Sequence, residues 1–403
     1  MTQNNEKIAY FDNAATTFPK PKSVYDFMDT FYRTFGANAN RGQYKLSSVT
    51  SKLIFNTREN IKKLLDCQNK DVIFTPNATL ALNMIIQGIL KNPIIDKNNE
   101  SHLDEHSAQI KNVYISPFEH NAVTRILENY KIQNKIAVHV LPISPNYEYD
   151  FSKIDETFSK TPPELLILTH ASNVCGLICP IEKICELAKK YNATTVLDMA
   201  QTAALVPLNL ANENFDFAVF EGHKTLFGPT GAAGFVKSKS AQLEPFLFGG
   251  TGVESANQSM PEELPYKYEM GTLNIHAIAG LYEATIFLLE NRDKIRVKEE
   301  ENHQKLLSLL RKYNFIKIEG PQNRTNCIGV VSVNFTGYTS DEIANVLDSK
   351  NIAVRSGLQC APLAHKTLGT FPAGTVRFSV SYFTCDEDFL MLKEALDYIK
   401  ENI

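Results

Sequence analysis

The sequence lacks several features that would assign it to a specialised class of protein. It has no apolar run long enough to span a bilayer, and its first residues, MTQNNEKIAY, show no signal-peptide pattern. It has no excess of positive charge, because 41 Lys and Arg stand against 45 Asp and Glu, a net charge of −4. We therefore expect no membrane span and no nucleic-acid or anionic-membrane partner. Internal repeats and low-complexity tracts are also missing.

The seven cysteines show no pattern of pairs or clusters. An odd number of scattered cysteines favours reduced thiols, so we expect a cytoplasmic protein. Cys175, Cys179 and Cys185 follow one another at spacings of four and six, which is not typical of a cluster-binding site. We expect these three side chains to be buried, inert thiols.

The order of strand and helix patterns predicts the fold class. With 403 residues, 43% of them hydrophobic, the chain is long enough for two domains. Strand and helix patterns alternate from about residue 71 to 236, which predicts an α/β domain with a mostly parallel, seven-stranded sheet. The remainder predicts a smaller α+β domain. We place the large domain at 15–280 and the small domain at 1–14 and 281–403.

Residues 215–236, FDFAVFEGHKTLFGPTGAAGFV, place a lysine between two apolar segments that are typical of buried strands. Burial disfavours the ammonium form of Lys224 and lowers its pKa, so the amine can act as a nucleophile. His223, beside it, can donate to an anion. The alternative is a lysine at a strand end whose charge reaches solvent.

Two further side chains follow predicted strands. Asp198 comes directly after the strand TTVL, and a buried carboxylate there is costly unless it meets a cation or a strong donor. A protonated pyridine nitrogen is such a partner, although the residue could equally cap the next helix. His120 lies in a loop after a strand, where ligands bind in open α/β sheets, and could stack on a flat ring.

Two segments near the N-terminal half could bind an anion or a metal. The turn that ends in Thr79 joins a strand to a helix, a geometry that favours phosphate binding, although a plain helix cap is commoner. Residues 91–111 are polar and predict a surface insertion. His102 and His106 within it are four apart, but they do not form the HExxH pattern, so a metal pair is the weaker interpretation.

Two residues in the C-terminal part can carry chemistry. Cys360 lies on a glycine-containing loop, RSGLQCAP, directly after a predicted strand; a buried thiol is the alternative. Arg377 lies within a strand of apolar neighbours and needs a partner, for which a carboxylate is best suited. That partner could be a ligand or a structural ion pair.

Lys224, Asp198 and His120 together are the set that a pyridoxal phosphate enzyme needs. Eight motifs occur in order from Phe11 to Ser379: FDNAATTFPKP, EHNAV, SNVCG, LDMAQ, GHKTLFGPTG, YEMGTLN, VRSGLQCAP and TVRFS. With these motifs the chain resembles the class V, fold-type I pyridoxal phosphate enzymes. Within that family it is most similar to the cysteine desulfurases and selenocysteine lyases that have a short RxGxxC loop.

The resemblance implies a pyridoxal 5′-phosphate cofactor, a homodimer and a role for each matched residue. Lys224 matches the lysine that forms a Schiff base with the cofactor. The other cofactor positions are Asp198 for the ring nitrogen, Gln201 for the phenolic oxygen, His120 for ring stacking, and Ala78, Thr79, His223 and the second subunit's Thr272 for the phosphate. The positions for the substrate cysteine are Asn173 and Arg377 for its carboxylate, the small residue Ala15, and Cys360, which takes up its sulfur as a persulfide and leaves alanine.

Three residues depart from the family pattern. Ala78 stands where relatives often carry a second hydroxyl, and Asn40 stands where some relatives have His. Glu221 stands two positions before His223, where relatives carry Ser or Thr, and an ionised carboxylate there repels a phosphate. We expect that Glu221 turns away, is protonated, or weakens phosphate binding. The leading interpretation is a cysteine desulfurase that supplies sulfur to an acceptor protein, for iron–sulfur clusters or a related product. A cysteine β-lyase, an aminotransferase and a degenerate, non-catalytic homologue are the alternatives.

Overall fold

The computed structural model describes residues 7–39, 42, 44–90 and 110–402. The predicted insertion at 91–111, with His102 and His106, therefore lies almost entirely outside the described residues. Its predicted C-terminal limit is wrong, because Lys111 already belongs to a strand. In the described part of the chain, no helix has the length and apolar character needed to cross a membrane.

A seven-stranded sheet forms the centre of the α/β region, as predicted. Five neighbouring strands run parallel, and β8 is antiparallel to both of its neighbours. The sheet is therefore mostly parallel. Its strands, in spatial order, are Asp71–Thr75 (β2), Ala233–Lys237 (β8), Phe217–Glu221 (β7), Thr194–Asp198 (β6), Leu165–Thr169 (β5), Lys111–Ile115 (β3) and Ile136–Val140 (β4).

Apolar layers cover both faces of this sheet. In the fully buried β5, Leu166 and Leu168 join one cluster, while Leu165 and Ile167 join the other. This division follows from the alternation of side chains along a strand, and strands buried on both faces are continuously apolar. The helices of this region are Lys22–Phe35 (α1), Lys45–Leu64 (α2), Ala78–Leu90 (α3), Asn121–Lys131 (α4), Phe151–Lys160 (α5) and Ile181–Lys189 (α6).

The C-terminal part begins with the 36-residue helix Ile275–Leu310 (α7), which packs on α1 and α2. A three-stranded antiparallel sheet and three helices follow it. The strand Ala9–Tyr10 (β1) pairs in parallel with Ile352–Ala353 (β11), so the N-terminal residues join the C-terminal part. The grouping of 1–14 with 281–403 and the domain boundaries stay predictions. The remaining elements are Ile316–Ile318 (β9), Val330–Phe335 (β10), Ser340–Ser349 (α8), Pro362–Leu368 (α9), Val376–Ser379 (β12) and Asp386–Asn402 (α10).

A buried ion pair connects the segment between β8 and α7 to the large sheet. Both terminal nitrogens of Arg58 donate to Glu269, at 2.6 and 2.5 Å, and Nη1 also donates to the Val72 carbonyl. Glu269 Oε1 accepts the Phe74 N–H at 2.6 Å, and the guanidinium lies 4.5 Å from the centre of the Phe74 ring. One carboxylate therefore holds α2, β2 and the loop before α7 together.

We expect Glu269→Ala to lower the free energy of unfolding by about 3–5 kcal/mol, because it leaves a buried guanidinium without its counter-charge. The double variant Arg58→Met, Glu269→Leu should recover much of that loss, since no buried charge then remains unpaired. Urea unfolding followed by circular dichroism measures both. A loss below about 1 kcal/mol in the single variant would contradict the assigned role.

Candidate active site

The candidate active site lies at the carboxyl edge of the parallel strands. Asp198 is the last residue of β6, Glu221 is the last residue of β7, and Lys224 follows three positions later. His120 follows β3 and is the N-cap of α4. Because the carboxyl ends of parallel strands meet at one edge, the sequence-predicted ring-binding residues converge there. Lys224 and His120 both interact electrostatically with Asp198.

The lysine segment is held by hydroxyl groups of the small-residue loop 13–17. Thr17 Oγ1 donates to the Lys224 carbonyl at 2.9 Å, and Thr16 Oγ1 donates to the His223 carbonyl at 3.0 Å. Burial lowers the pKa of Lys224, and Asp198 and Glu221 partly oppose this effect. A lowered pKa increases the fraction of free amine at neutral pH, which agrees with the expectation of a nucleophilic lysine.

The His120 ring is oriented by a backbone donor. Its Nδ1 accepts the Ala122 N–H at 3.0 Å, so in the neutral ring the proton is on Nε2. Burial lowers the pKa of His120; Asp198 opposes the shift, whereas Lys224 and Arg355 add to it. A neutral, oriented imidazole suits stacking on a flat ring.

The neighbours of Asp198 and Gln201 are backbone groups. Asp198 Oδ1 accepts the Ala200 N–H at 2.9 Å, so the carboxylate does cap the following turn, as the alternative interpretation proposed. Gln201 Nε2 donates to the Ala14 carbonyl at 2.9 Å. The half-buried Ala15 lies next in that loop. The loop thus approaches the site through its backbone.

Glu119 is a buried group that the sequence analysis missed. Its Oε1 accepts from Ser116 Oγ and from the Thr169 N–H, both at 2.6 Å, while Oε2 is buried without a partner. Burial raises the pKa of Glu119 to about 8, and the nearby Asp198 contributes. The side chain is therefore mostly neutral at pH 7 and adds no negative charge behind Asp198. Its position directly before His120, after a strand, is the signal that could have identified it.

We expect Glu119→Gln to reduce the loss of stability between pH 6 and pH 8. The folded chain holds this proton up to about pH 8, while the unfolded carboxyl loses it near pH 4.5. The native free energy of unfolding therefore falls by up to about 1.4 kcal/mol per pH unit in this window, and glutamine removes that contribution. Urea unfolding at pH 6, 7 and 8 measures the difference. Burial also raises the pKa of Glu299 to about 8, but this residue contributes equally to the native protein and to the variant. Identical slopes of the free energy of unfolding against pH in the two proteins would contradict the prediction.

Arg377 is fully buried and joins the two ends of the chain. Its Nη2 donates to Asp12 Oδ1 at 2.6 Å, and its Nη1 donates to the Asn173 carbonyl at 3.0 Å. The structural ion pair considered as an alternative is thus present, and Nε remains buried without a partner. Asn173 Nδ2 donates to the Gln359 carbonyl at 2.8 Å. Asp12 was missed, although it lies in the first motif, FDNAATTFPKP.

Cys360 is exposed, so the alternative of a buried thiol is wrong for this residue. The Asn121 N–H, next to His120, donates to the Cys360 carbonyl at 2.8 Å and joins the Cys360 loop to the start of α4. Arg355 Nη2 donates to Cys360 Sγ at 3.2 Å. Cys360 has a left-handed φ of 57°, uncommon for a residue other than glycine.

Unlike the exposed Cys360, the three thiols that were predicted to be inert are buried, and burial raises the pKa of each. These thiols are Cys175, Cys179 and Cys185.

At the phosphate end, Glu221 does not turn away. Its Oε2 accepts the Ala78 N–H at the start of α3 at 2.8 Å, and its Oε1 lies 3.6 Å from His223 Nε2. Thr79 is exposed, and its carbonyl accepts from the Asn83 amide. Lys20 was missed: its Nζ donates to the His223 carbonyl at 2.5 Å, and burial lowers its pKa to about 7.

Thr272 lies apart from these groups in the single chain. It is exposed on the loop before α7 and lines a surface pocket with Asn38 and Tyr266. No hydrogen bond or ion pair among residues 7–39, 42, 44–90 and 110–402 joins it to the Lys224 site. Its expected role depends on a second subunit and stays a prediction.

The side chains fit pyridoxal phosphate at the ring end. An amine of lowered pKa, a carboxylate at a strand end, a neutral imidazole and an amide are each present. At the phosphate end, the start of α3, Lys20 and His223 are suited to bind an anion. His223 Nδ1 is buried without a partner and could donate to a phosphate. Glu221 is the residue that does not fit, because an ionised carboxylate repels a phosphate. Within the described ranges, no three His, Cys, Asp or Glu side chains form a group that could hold a metal ion.

Comparisons with known proteins show the family of the chain. The family model described as aminotransferase class-V matches residues 9–392. Proteins named "Probable cysteine desulfurase" from Halalkalibacterium halodurans and Aeropyrum pernix are 30% and 31% identical; the alignments cover 99% and 97% of this chain and 94% of each relative. The apo cysteine desulfurase structure from Thermococcus onnurineus NA1 is 26% identical with a TM-score of 0.86, covering 98% of this chain and 95% of that one. The chain therefore belongs to the class-V aminotransferase family, among relatives that are named as cysteine desulfurases.

Proposed function

We propose that the protein is a pyridoxal phosphate-dependent cysteine desulfurase that converts L-cysteine to L-alanine and keeps the sulfur on Cys360. The observation that carries this proposal is the position of Cys360. It is exposed, and its carbonyl accepts a hydrogen bond from the Asn121 N–H. Its sulfur accepts a hydrogen bond from Arg355 at 3.2 Å. An aminotransferase needs no cysteine at this place.

Lys224, Asp198, His120 and Gln201 would hold the ring of the cofactor, which supplies an electron sink for the substrate carbon. The Lys224 amine, free at neutral pH more often than an exposed lysine, would accept the proton from the substrate Cα. The neutral His120 can donate through Nε2, because Nδ1 is occupied by the Ala122 N–H.

Arg377 and Asn173 would orient the substrate. The Arg377 guanidinium is held by Asp12 and by the Asn173 carbonyl, and its Nε–H is buried without a protein partner. A substrate carboxylate would satisfy that donor with a charge-assisted hydrogen bond. Asp12 would then act as a positioning residue that fixes the guanidinium.

In the proposed sulfur transfer, Cys360 would be the nucleophile. Its thiolate would attack the substrate sulfur, forming an S–S bond while the substrate Cβ–S bond breaks. The electron pair of that bond stays with the carbon, which takes up a proton and becomes the methyl group of alanine. Arg355, the donor to Cys360 Sγ, would stabilise negative charge on the attacking sulfur.

We infer a cytoplasmic homodimer in which the exposed Thr272 of each subunit contributes to the phosphate site of the other. We further infer that the persulfide is passed to an acceptor protein, for iron–sulfur clusters or a related product. An exposed Cys360 supports such a transfer, because an acceptor thiol must reach the sulfur.

Cys360→Ala should abolish sulfide and alanine formation from cysteine while leaving the visible absorbance of the bound cofactor unchanged. The reason is that the variant lacks the attacking sulfur but keeps every ring-binding side chain. Cys385→Ala is the matched control, since Cys385 is the other exposed cysteine of the described residues and should keep full activity. Retained sulfide release by Cys360→Ala would reject the persulfide step and favour a β-lyase.

Lys224→Ala should lose the absorbance of covalently bound cofactor, because the variant lacks the buried amine that interacts with Asp198 at the strand ends. Lys239→Ala, which removes an exposed lysine just after β8, is the control and should retain it. The absorbance is read on the proteins as purified and after addition of pyridoxal phosphate. A native protein that stays colourless under both conditions would support the degenerate, non-catalytic homologue instead.

A further inference from the structure

A carboxyl group of the protein itself already occupies the start of helix α3. Glu221 is the last residue of β7, and its Oε2 accepts the Ala78 N–H at 2.8 Å. Its other oxygen, Oε1, is buried without a hydrogen-bond partner. A helix N-terminus favours one negative group, so this carboxylate and a phosphate would compete for the same donors.

Few positive charges around Glu221 can offset a second anion. Lys20, on the loop before α1, has a pKa that burial lowers to about 7. His223 has a pKa that burial, Lys224 and Lys20 lower to about 4, so it is neutral. Lys224 has a lowered pKa, and Asp198 on β6 adds negative charge. The Ala78 N–H donates to the carboxylate at 2.8 Å, and both it and the Gly222 N–H favour the ionised form of Glu221.

We propose that Glu221 is protonated when the cofactor phosphate is bound, so that phosphorylated cofactor binds with uptake of one proton. This inference rests on the proposed cofactor. The neutral carboxyl group would donate its proton to a phosphate oxygen, as a serine or threonine hydroxyl does. One proton leaves the solvent, one O–H bond forms on the unpartnered Oε1, and no electron is exchanged.

The geometry favours a protonated Glu221 beside the phosphate over an ionised Glu221 in the same place. Burial raises the pKa of Glu221 in the free protein, since desolvation disfavours the carboxylate, although the Ala78 N–H and Lys224 oppose that shift. A phosphate placed beside it raises the pKa further, because like charges in a buried site disfavour ionisation. The unpartnered Oε1 is the atom that can carry the proton.

The test uses the full-length chain freed of cofactor and pyridoxine 5′-phosphate as the probe. This probe has no aldehyde, so Lys224 cannot react with it. Calorimetric titration at pH 7.5 in two buffers of different ionisation enthalpy gives the number of protons taken up. The phosphate, with a second pKa near 6, is already ionised at this pH. We expect uptake of about one proton by the native protein and about none by Glu221→Gln.

The pH dependence gives a second readout. The dissociation constant of the native protein for the phosphorylated probe should rise by up to about tenfold per pH unit between pH 7 and 9, as expected for one linked proton. In Glu221→Gln it should stay nearly constant. Pyridoxine without the phosphate should show neither effect, and Glu128→Gln, on the exposed side of α4, should behave as the native protein.

Four outcomes would overturn the inference. Absence of proton uptake by the native protein is sufficient alone and needs no variant. Uptake that persists in Glu221→Gln but disappears in Lys20→Met would assign the proton to Lys20. Binding only to Glu221→Gln would mean that Glu221 excludes phosphate. If the native protein and all variants bind neither probe, the proposed cofactor itself fails, a result distinct from binding without proton uptake.

Discussion

The hydrogen bonds of the loop 12–17 hold the candidate site together. This loop donates to the carbonyls of His223 and Lys224 and accepts from Gln201 through the Ala14 carbonyl. At its other end Asp12 pairs with the buried Arg377. A loop of small residues and hydroxyls therefore connects the lysine at the large sheet to the arginine of the C-terminal sheet. The hydrogen bonds from Arg377 to the Asn173 carbonyl and from the Asn121 N–H to the Cys360 carbonyl connect the same two parts.

Burial determines the charge state of the groups around that frame. The carboxyl of Glu119 and the imidazole of His223 are both driven toward their neutral forms, since desolvation penalises charge. The pKa of the Lys224 amine is lowered for the same reason. Asp198 thus faces a site with few competing negative charges, which suits a carboxylate whose partner is a protonated ring nitrogen. Burial raises the pKa of Glu221 as well, and this carboxyl group lies at the start of α3, where the phosphate of the proposed cofactor would bind.

The motifs of the chain predicted more of the site than of the fold's smaller elements. The residues predicted to bind the cofactor ring lie together at one sheet edge, because each follows a strand and the strands are parallel. Short elements such as β1, β9 and α9 were not predicted, since two to seven residues carry too little periodicity. Helix α5 was also missed; its start at the N-cap Asp150, which accepts from the Lys153 N–H, is a local signal.

The sequence by itself determined the fold class, the family and the candidate chemical groups, because these depend on residue type and order along the chain. Only the tertiary structure decided which partners those groups have. Arg377 forms an ion pair with Asp12, 365 residues away, and the Cys360 carbonyl accepts a hydrogen bond from the Asn121 N–H. Glu221 faces the start of α3 rather than solvent. Such pairings depend on how distant segments pack, and neither spacing nor composition carries that information.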